Sequence, residues 1–129
     1  MRQYLVLTIS SLLTLVLFTF HLTDDILHDK AGLDLQGTII CLLIMIVLLY
    51  GTVELAGRRL GFIIMFLGGL AAAYMPFLHG LGPRSTRWGF FFVWTMLAMG
   101  AGGSFAAILA LRALWRTRRL GNSPARSSA

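Results

Sequence analysis

The sequence predicts an all-α fold, an integral membrane four-helix bundle, and two observations support this. Hydrophobic residues make up 57% of the 129 residues and charged residues only 12%, about half of the charged fraction of a typical soluble domain. Four apolar segments, each close to the ~20 residues that a helix needs to cross a bilayer, occupy most of the chain. No room is left for a separate soluble domain, so any site must lie within the membrane or at its surface.

The predicted spans are numbered here along the chain. The first covers about residues 4–20 and continues toward 28, and the others cover 38–56, 60–78 and 88–111. Only Gly57-Arg58-Arg59 separates the second span from the third, which predicts a tight antiparallel turn. Residues 1–116 are expected to form one transmembrane domain, and the basic, polar segment 117–129 is expected to be a disordered cytoplasmic tail.

The basic residues predict the orientation of the bundle. With four spans, the amino terminus, the second loop and the carboxy terminus share one side of the membrane. By the positive-inside rule that side is the cytoplasm, because most of the Lys and Arg residues fall there. The net charge of +6 then reflects topology and lipid headgroup contact, and nucleic acid is not expected as a partner. The cytoplasmic set is Arg2, Arg58, Arg59, Arg112, Arg116, Arg118, Arg119 and Arg126, against Lys30, Arg84 and Arg87 on the other side.

One polar cluster is a candidate metal or proton site. If the first helix continues past the bilayer edge, His21, Asp24, Asp25 and His28 follow the i, i+3, i+4, i+7 pattern and share one face. The third span ends at His79 on the same, extracytoplasmic side. Imidazoles and carboxylates together suit a divalent transition metal or a proton relay. The pattern therefore predicts that these side chains converge inside the bundle.

Other interpretations of this cluster remain open. Acidic residues in a short surface loop need no functional explanation, and an interfacial histidine often only extends its polar tip toward water. A b-type haem between His21 and His79 is not expected, because both lie near the membrane edge and no second histidine pair exists for electron transfer across the bilayer.

Small residues spaced four apart predict where helices touch. Because lipid gives apolar side chains no reason to leave it, membrane helices associate where small residues let their backbones approach. Packing inside one bundle is favoured over an interface with another membrane protein or a second copy of the chain. The residues on which this prediction depends are Gly68, Gly69, Gly100, Gly102, Gly103 and Ser104.

A further pair lies at the cytoplasmic end of the second span. Glu54 is the sole glutamate, and Arg58 follows it at i+4. If the helix continues that far, the two side chains share one face and form an ion pair. This interpretation is favoured over a proton-relay role for Glu54.

The chain resembles the small four-helix inner-membrane proteins of bacteria. The resemblance covers the hydrophobic layout, the polar end of the first helix, the Tyr50-Gly51-Thr52 segment, and the Phe90-Phe91-Phe92-Val93-Trp94 opening of the fourth span. It implies a multi-pass protein of the bacterial inner membrane and no particular activity.

Two function classes follow from these observations. The first is a non-catalytic component of a larger membrane assembly, of the transporter or respiratory type, that associates through the glycine-rich faces of the third and fourth spans. The second is a membrane protein that binds a metal or relays protons through the histidine and aspartate cluster. No phosphate-binding loop or nucleophile elbow is present in the sequence, so an enzyme is not favoured.

The predicted topology can be tested with reporters. We expect a reporter fused to the carboxy terminus to stay in the cytoplasm and a tag placed between Asp29 and Asp34 to be reached from outside, because of the arginine asymmetry. Accessibility labelling of intact cells measures both. A first-loop tag that is protected in intact cells and labelled only after lysis would contradict the topology.

Overall fold

The computed structural model of the protein describes residues 2–28, 34–80 and 89–121. These residues form four α-helices: α1 (Arg2–His28), α2 (Leu35–Val53), α3 (Arg59–Gly80) and α4 (Phe90–Gly121). All four are long and apolar enough to cross a membrane. The prediction of an all-helical chain with four such helices is therefore confirmed.

Helix α1 continues well beyond its apolar part. It has 27 residues, with neither glycine nor proline to interrupt it, and at 1.5 Å per residue it is about 40 Å long. That length exceeds the ~30 Å of a bilayer core. The polar residues after Phe20 belong to the same helix and lie beyond the part needed to cross the bilayer core. This continuation is what the shared-face pattern required.

Helix α2 begins and ends earlier than predicted. The Asp34 carboxylate caps its first turn by accepting a hydrogen bond from the Gly37 amide at 2.7 Å. The helix ends at Val53 rather than Ala56, because residues 54–57 form a turn in which the Arg58 amide donates to the Leu55 carbonyl at 3.0 Å. Gly57 has φ 79°, which favours glycine over any other residue at this position.

Helix α4 is longer than predicted at its carboxyl end. The tail was expected to begin at residue 117, but the helix continues to Gly121. Its last turns are rich in alanine, leucine and arginine, which are strong helix formers, and contain no proline. Residues 122–129 of the expected tail lie outside the described residues.

The helices pack as a three-helix unit with a peripheral fourth. Helix α4 makes the most extensive contacts, first with α3 and then with α1, and α2 contacts α3 and α1 over smaller surfaces. One end of the bundle, here called the arginine end, carries the exposed side chains of Arg58, Arg59, Arg112, Arg116 and Arg118. Its core is an apolar cluster formed by Leu7, Phe62, Met65, Ala110 and Ala113.

Glycine brings the backbones of α3 and α4 together. A Cβ atom added to Gly69 would lie 2.7 Å from the carbonyl oxygen of Gly103, and one added to Gly103 would lie 2.6 Å from the Cβ atom of Ala72. Neither space accepts a side chain. The two helices are therefore in direct backbone contact at the middle of the bundle.

The other small residues contact different neighbours. Gly100 provides the space for the Pro76 ring, Gly102 faces the Thr14 hydroxyl on α1, and Gly68 faces Leu48 on α2. Ser104 differs from them, because its side chain is exposed and its hydroxyl donates to the Gly100 carbonyl of its own helix at 2.8 Å. The glycines thus pack within the chain, and Ser104 lies beside that interface rather than in it.

This packing predicts the effect of a large side chain at position 103. We expect Gly103→Leu to lower the free energy of unfolding by about 2–3 kcal/mol, because α3 and α4 must separate to accommodate it. Ser104→Leu is the matched control, since the neighbouring position is exposed and the same group is added. Thermal unfolding in mild detergent measures both; equal midpoints for the two variants would show that the Gly69–Gly103 contact contributes nothing.

Candidate functional site

Three helix ends meet around His21 at the end of the bundle opposite the arginines, here called the histidine end. The His21 ring is 3% exposed and lies edge to face with the His79 ring, with 5.3 Å between ring centroids. Phe92 on α4 packs against both, at 4.4 Å from His21 and 5.7 Å from His79. The expected proximity of His21 and His79 is therefore present, and it arises because α1 and α3 run in the same direction.

Thr95 joins α4 to this cluster through its hydroxyl. Its Oγ1 donates to the carbonyl oxygens of Phe91 at 3.0 Å and Phe92 at 3.1 Å. The hydroxyl has only one proton, which these carbonyls share, so its oxygen acts as the acceptor toward His21. The Nδ1 atom of His21 lies 3.4 Å from Oγ1, a long hydrogen bond in which Nδ1 donates.

Hydrogen bonding assigns the same tautomer to both imidazoles in their neutral form. The Nδ1 atom of His79 lies 3.1 Å from the carbonyl oxygen of Met75, and a carbonyl can only accept, so this Nδ1 also carries the proton. In both rings Nε2 is then the basic nitrogen. This is the atom through which a neutral histidine can bind a metal or take up a proton.

The two aspartates of the cluster differ in burial. Asp25 follows His21 by one helical turn and is 3% exposed, as buried as His21 itself. Asp24 is half-buried. A buried carboxylate is tolerated only where hydrogen bonds or opposite charge stabilise it. The burial of Asp25 places it on the inward face of α1, as the helical pattern predicted.

The metal hypothesis gains no support from this arrangement. Across residues 2–28, 34–80 and 89–121, no group of three or more His, Cys, Asp or Glu side chains is placed to hold an ion. Helix α1 includes His28, but its side chain lies outside the described residues, so its part in the shared face stays a prediction. The direct contact of the His21 and His79 rings leaves no gap for the porphyrin that a bis-histidine haem holds between its ligands.

Sequence reasoning missed two members of the cluster, Phe92 and Thr95. Phe92 stood within a phenylalanine run that resembles lipid-facing residues, yet it is fully buried, at 0% exposure. The available signal was Thr95, three residues later on the same helical face, because a hydroxyl in an apolar span can form a hydrogen bond to a neighbouring helix. The small-residue spacing predicted the glycine contacts but not this one.

The predicted Glu54–Arg58 pair depends on a helix that does not continue. Because α2 ends at Val53, the turn at residues 54–57 replaces the i, i+4 spacing that would place both side chains on one face. Both residues are exposed. The ion pair therefore stays a prediction without the helical geometry on which it was based.

Comparison of this chain with protein-family models, with curated proteins and with solved structures finds no match. The helices and the polar cluster are therefore what indicates its function. The class that they define is a small helical protein with four candidate membrane spans.

The contact between His21 and His79 can be tested by crosslinking. With Cys41→Ala as background, we expect His21→Cys combined with His79→Cys to form a disulfide under mild oxidation, because the two rings are in contact. A disulfide needs Cα atoms within about 7 Å of each other. The control pair, Thr23→Cys with His79→Cys, should not form one, since the Thr23 side chain is exposed. Gel mobility with and without reductant reports the bond. Equal crosslinking of the two pairs would refute the inward orientation of His21.

Proposed function

We propose that this chain is a small multi-pass protein of the bacterial inner membrane, with both termini in the cytoplasm, that acts as a non-catalytic component of a larger membrane assembly. The partner in this proposal is a transmembrane helix of another membrane protein, and it binds the outer face of α2. The observation that carries the proposal is how little of α2 is covered by its own chain.

Helix α2 is packed much more thinly than its neighbours. In its most apolar window 11% of residues are buried, against 44% in α4, and the buried residues of α2 are Gly51 and Thr52 in its last turn. Helices in lipid are held by packing and hydrogen bonds rather than by the hydrophobic effect. A helix that buries so little within its own chain gains more from a partner than the other three do.

The surface proposed for the partner differs from the one that the sequence favoured. The glycine-rich faces of α3 and α4 contact each other within the chain, so they are not available for association. Residues on the opposite side of α2 from α3 share exposure and an apolar character, apart from one phenol hydroxyl. They are Ile39, Leu42, Leu43, Ile46, Tyr50 and Val53.

The layout also supports the proposed topology. The arginines on the described parts of α3 and α4 lie at one end of the bundle, and Asp24, Asp25 and Asp34 belong to the opposite end. An arginine-rich end is expected in the cytoplasm. The resemblance to small four-helix bacterial proteins agrees with this layout and is part of the same proposal.

A second function, relay of protons, is favoured by one observation, whereas binding of a metal ion stays a prediction. Two imidazoles in ring contact with a buried aspartate one turn away are costly groups to place in a membrane helix, and such groups often mark functional sites. Metal analysis of the purified protein tests the metal-binding form of this alternative, because neither a non-catalytic component nor a proton relay requires bound metal.

Photocrosslinking tests the proposed partner surface. We expect benzoylphenylalanine in place of Ile39 or Ile46 to give adducts with one and the same membrane protein in intact cells, because both positions lie on the outer face of α2. Ile108 on α4 is the control, since it is 51% exposed and lies outside that face. Mass spectrometry of the adducts identifies the partner; a second copy of this chain would make the assembly a homo-oligomer. Identical adducts from Ile46 and Ile108 would contradict a partner surface on α2.

A further inference from the structure

A small recess lies at the arginine end of the bundle, between the start of α1 and the last turns of α4. It is lined by Tyr4, Leu109, Arg112, Ala113 and Arg116, and its volume is about 40 Å³. One water needs roughly 10–15 Å³ of such volume, so the recess has room for two or three oxygen-sized groups. A part of a ligand fits inside it, and the rest must lie outside.

Helical spacing puts two positive charges on one side of this recess. Arg112 and Arg116 are one turn apart on α4, so their side chains share a face. Like charges at this spacing repel each other, and an anion held between them offsets the repulsion. Glu54 is the acidic residue that the described ranges place at the same end, and it does not line the recess. The charge of the recess therefore favours an anion.

The wall that α1 contributes is held in place by ring stacking. The Tyr4 ring lies nearly parallel to the Phe62 ring of α3, with 5.5 Å between centroids. Phe62 belongs to the apolar core of this end. Ala113, which lies between the two arginines along α4, is buried in the same core. One side of the recess is therefore fixed by packing, whereas the exposed arginine side chains on the other side can adjust to a ligand.

The surroundings of the recess are those of a membrane interface. Trp115 on α4 is exposed, and tryptophan and tyrosine are enriched where the bilayer meets water. Phe105 and Leu109 precede Arg112 and Arg116 by two helical turns each, so they continue the same face toward the middle of the bundle. Phe105 is exposed and apolar. A ligand with its charge in the recess would therefore extend along an apolar surface.

We propose that this recess binds the phosphodiester group of an anionic phospholipid whose headgroup carries no positive charge, of the phosphatidylglycerol type. Two phosphate oxygens enter between Arg112 and Arg116, because guanidinium groups match phosphate geometry with paired hydrogen bonds. One acyl chain lies along Leu109 and Phe105. A free phosphate would satisfy the arginines but leave this apolar face uncovered, so the lipid is the favoured source of the phosphate.

The proposed location of the protein agrees with this ligand. In the proposed topology the arginine end faces the cytoplasmic leaflet, whose anionic lipids attract basic segments. The ammonium group of phosphatidylethanolamine would meet two guanidinium groups and no carboxylate among the lining residues. The lipid site thus rests on the proposed membrane location, and it does not depend on the partner proposed for α2.

Native mass spectrometry of the full-length protein in a neutral detergent tests the site. The protein is titrated with phosphatidylglycerol or with phosphatidylethanolamine of the same acyl chains, and the dissociation constant of the first bound lipid is measured for each. We expect phosphatidylglycerol to bind several-fold more tightly, because juxtaposed like charges disfavour the other lipid. Inorganic phosphate at the same concentrations should not displace it.

Variants locate the bound lipid. Arg112→Gln and Arg116→Gln should each weaken the first phosphatidylglycerol about fivefold, the loss expected for one basic residue near an anionic lipid. Arg118→Gln is the matched control, because it removes the same charge from an exposed arginine of α4 that does not line the recess. It should leave the dissociation constant nearly unchanged.

Three outcomes would overturn the proposal. Equal binding of the two lipids would mean that the recess does not select an anionic headgroup, and displacement by inorganic phosphate would mean that its ligand is a soluble anion. An equal loss in all three variants would mean that overall positive charge attracts the lipid. The first two are read from the unmutated protein, and none of them bears on the α2 partner, which photocrosslinking tests separately.

Discussion

The contact of α3 with α4 at Gly69 and Gly103 is the constraint on which the rest of the structure depends. Lipid is as apolar as the side chains, so burial of leucine or phenylalanine does not drive two membrane helices together. Close approach of the two backbones does drive their association, because it increases the van der Waals contact between the helices. At each of these glycines the opposite helix occupies the space that a Cβ atom would need. This contact fixes the position of α4 against α3.

The central position of α4 explains where the polar cluster forms. Helix α1 packs on α4 as well, with Gly102 facing Thr14, so the ends of α1, α3 and α4 converge and bring His21, His79 and Thr95 together. Helix α2 is left at the edge, where Gly51 and Gly68 form part of its contact with α3. The polar cluster is thus a product of the tight three-helix unit, to whose packing α2 adds little.

The chemistry of the polar cluster differs from that of the packing around it. His21 and Asp25 are both buried, although they lie where α1 extends beyond the length needed to cross a bilayer core. Ionisable groups are costly to bury, so they need partners on neighbouring helices. The ring contact of His21 with His79 provides one such partner.

The sequence alone determined four helices, the inward face of α1 and the meeting of His21 with His79. Hydrophobic length and helical periodicity are local properties, and the order of the spans places the ends of α1 and α3 on one side. It did not determine Phe92 and Thr95 as members of the cluster, the packing of the glycine faces within the chain, or the turn that ends α2 at Val53. Those features depend on which helix lies against which and in what register. In an apolar solvent that choice rests on packing between distant residues, which only the tertiary structure decides.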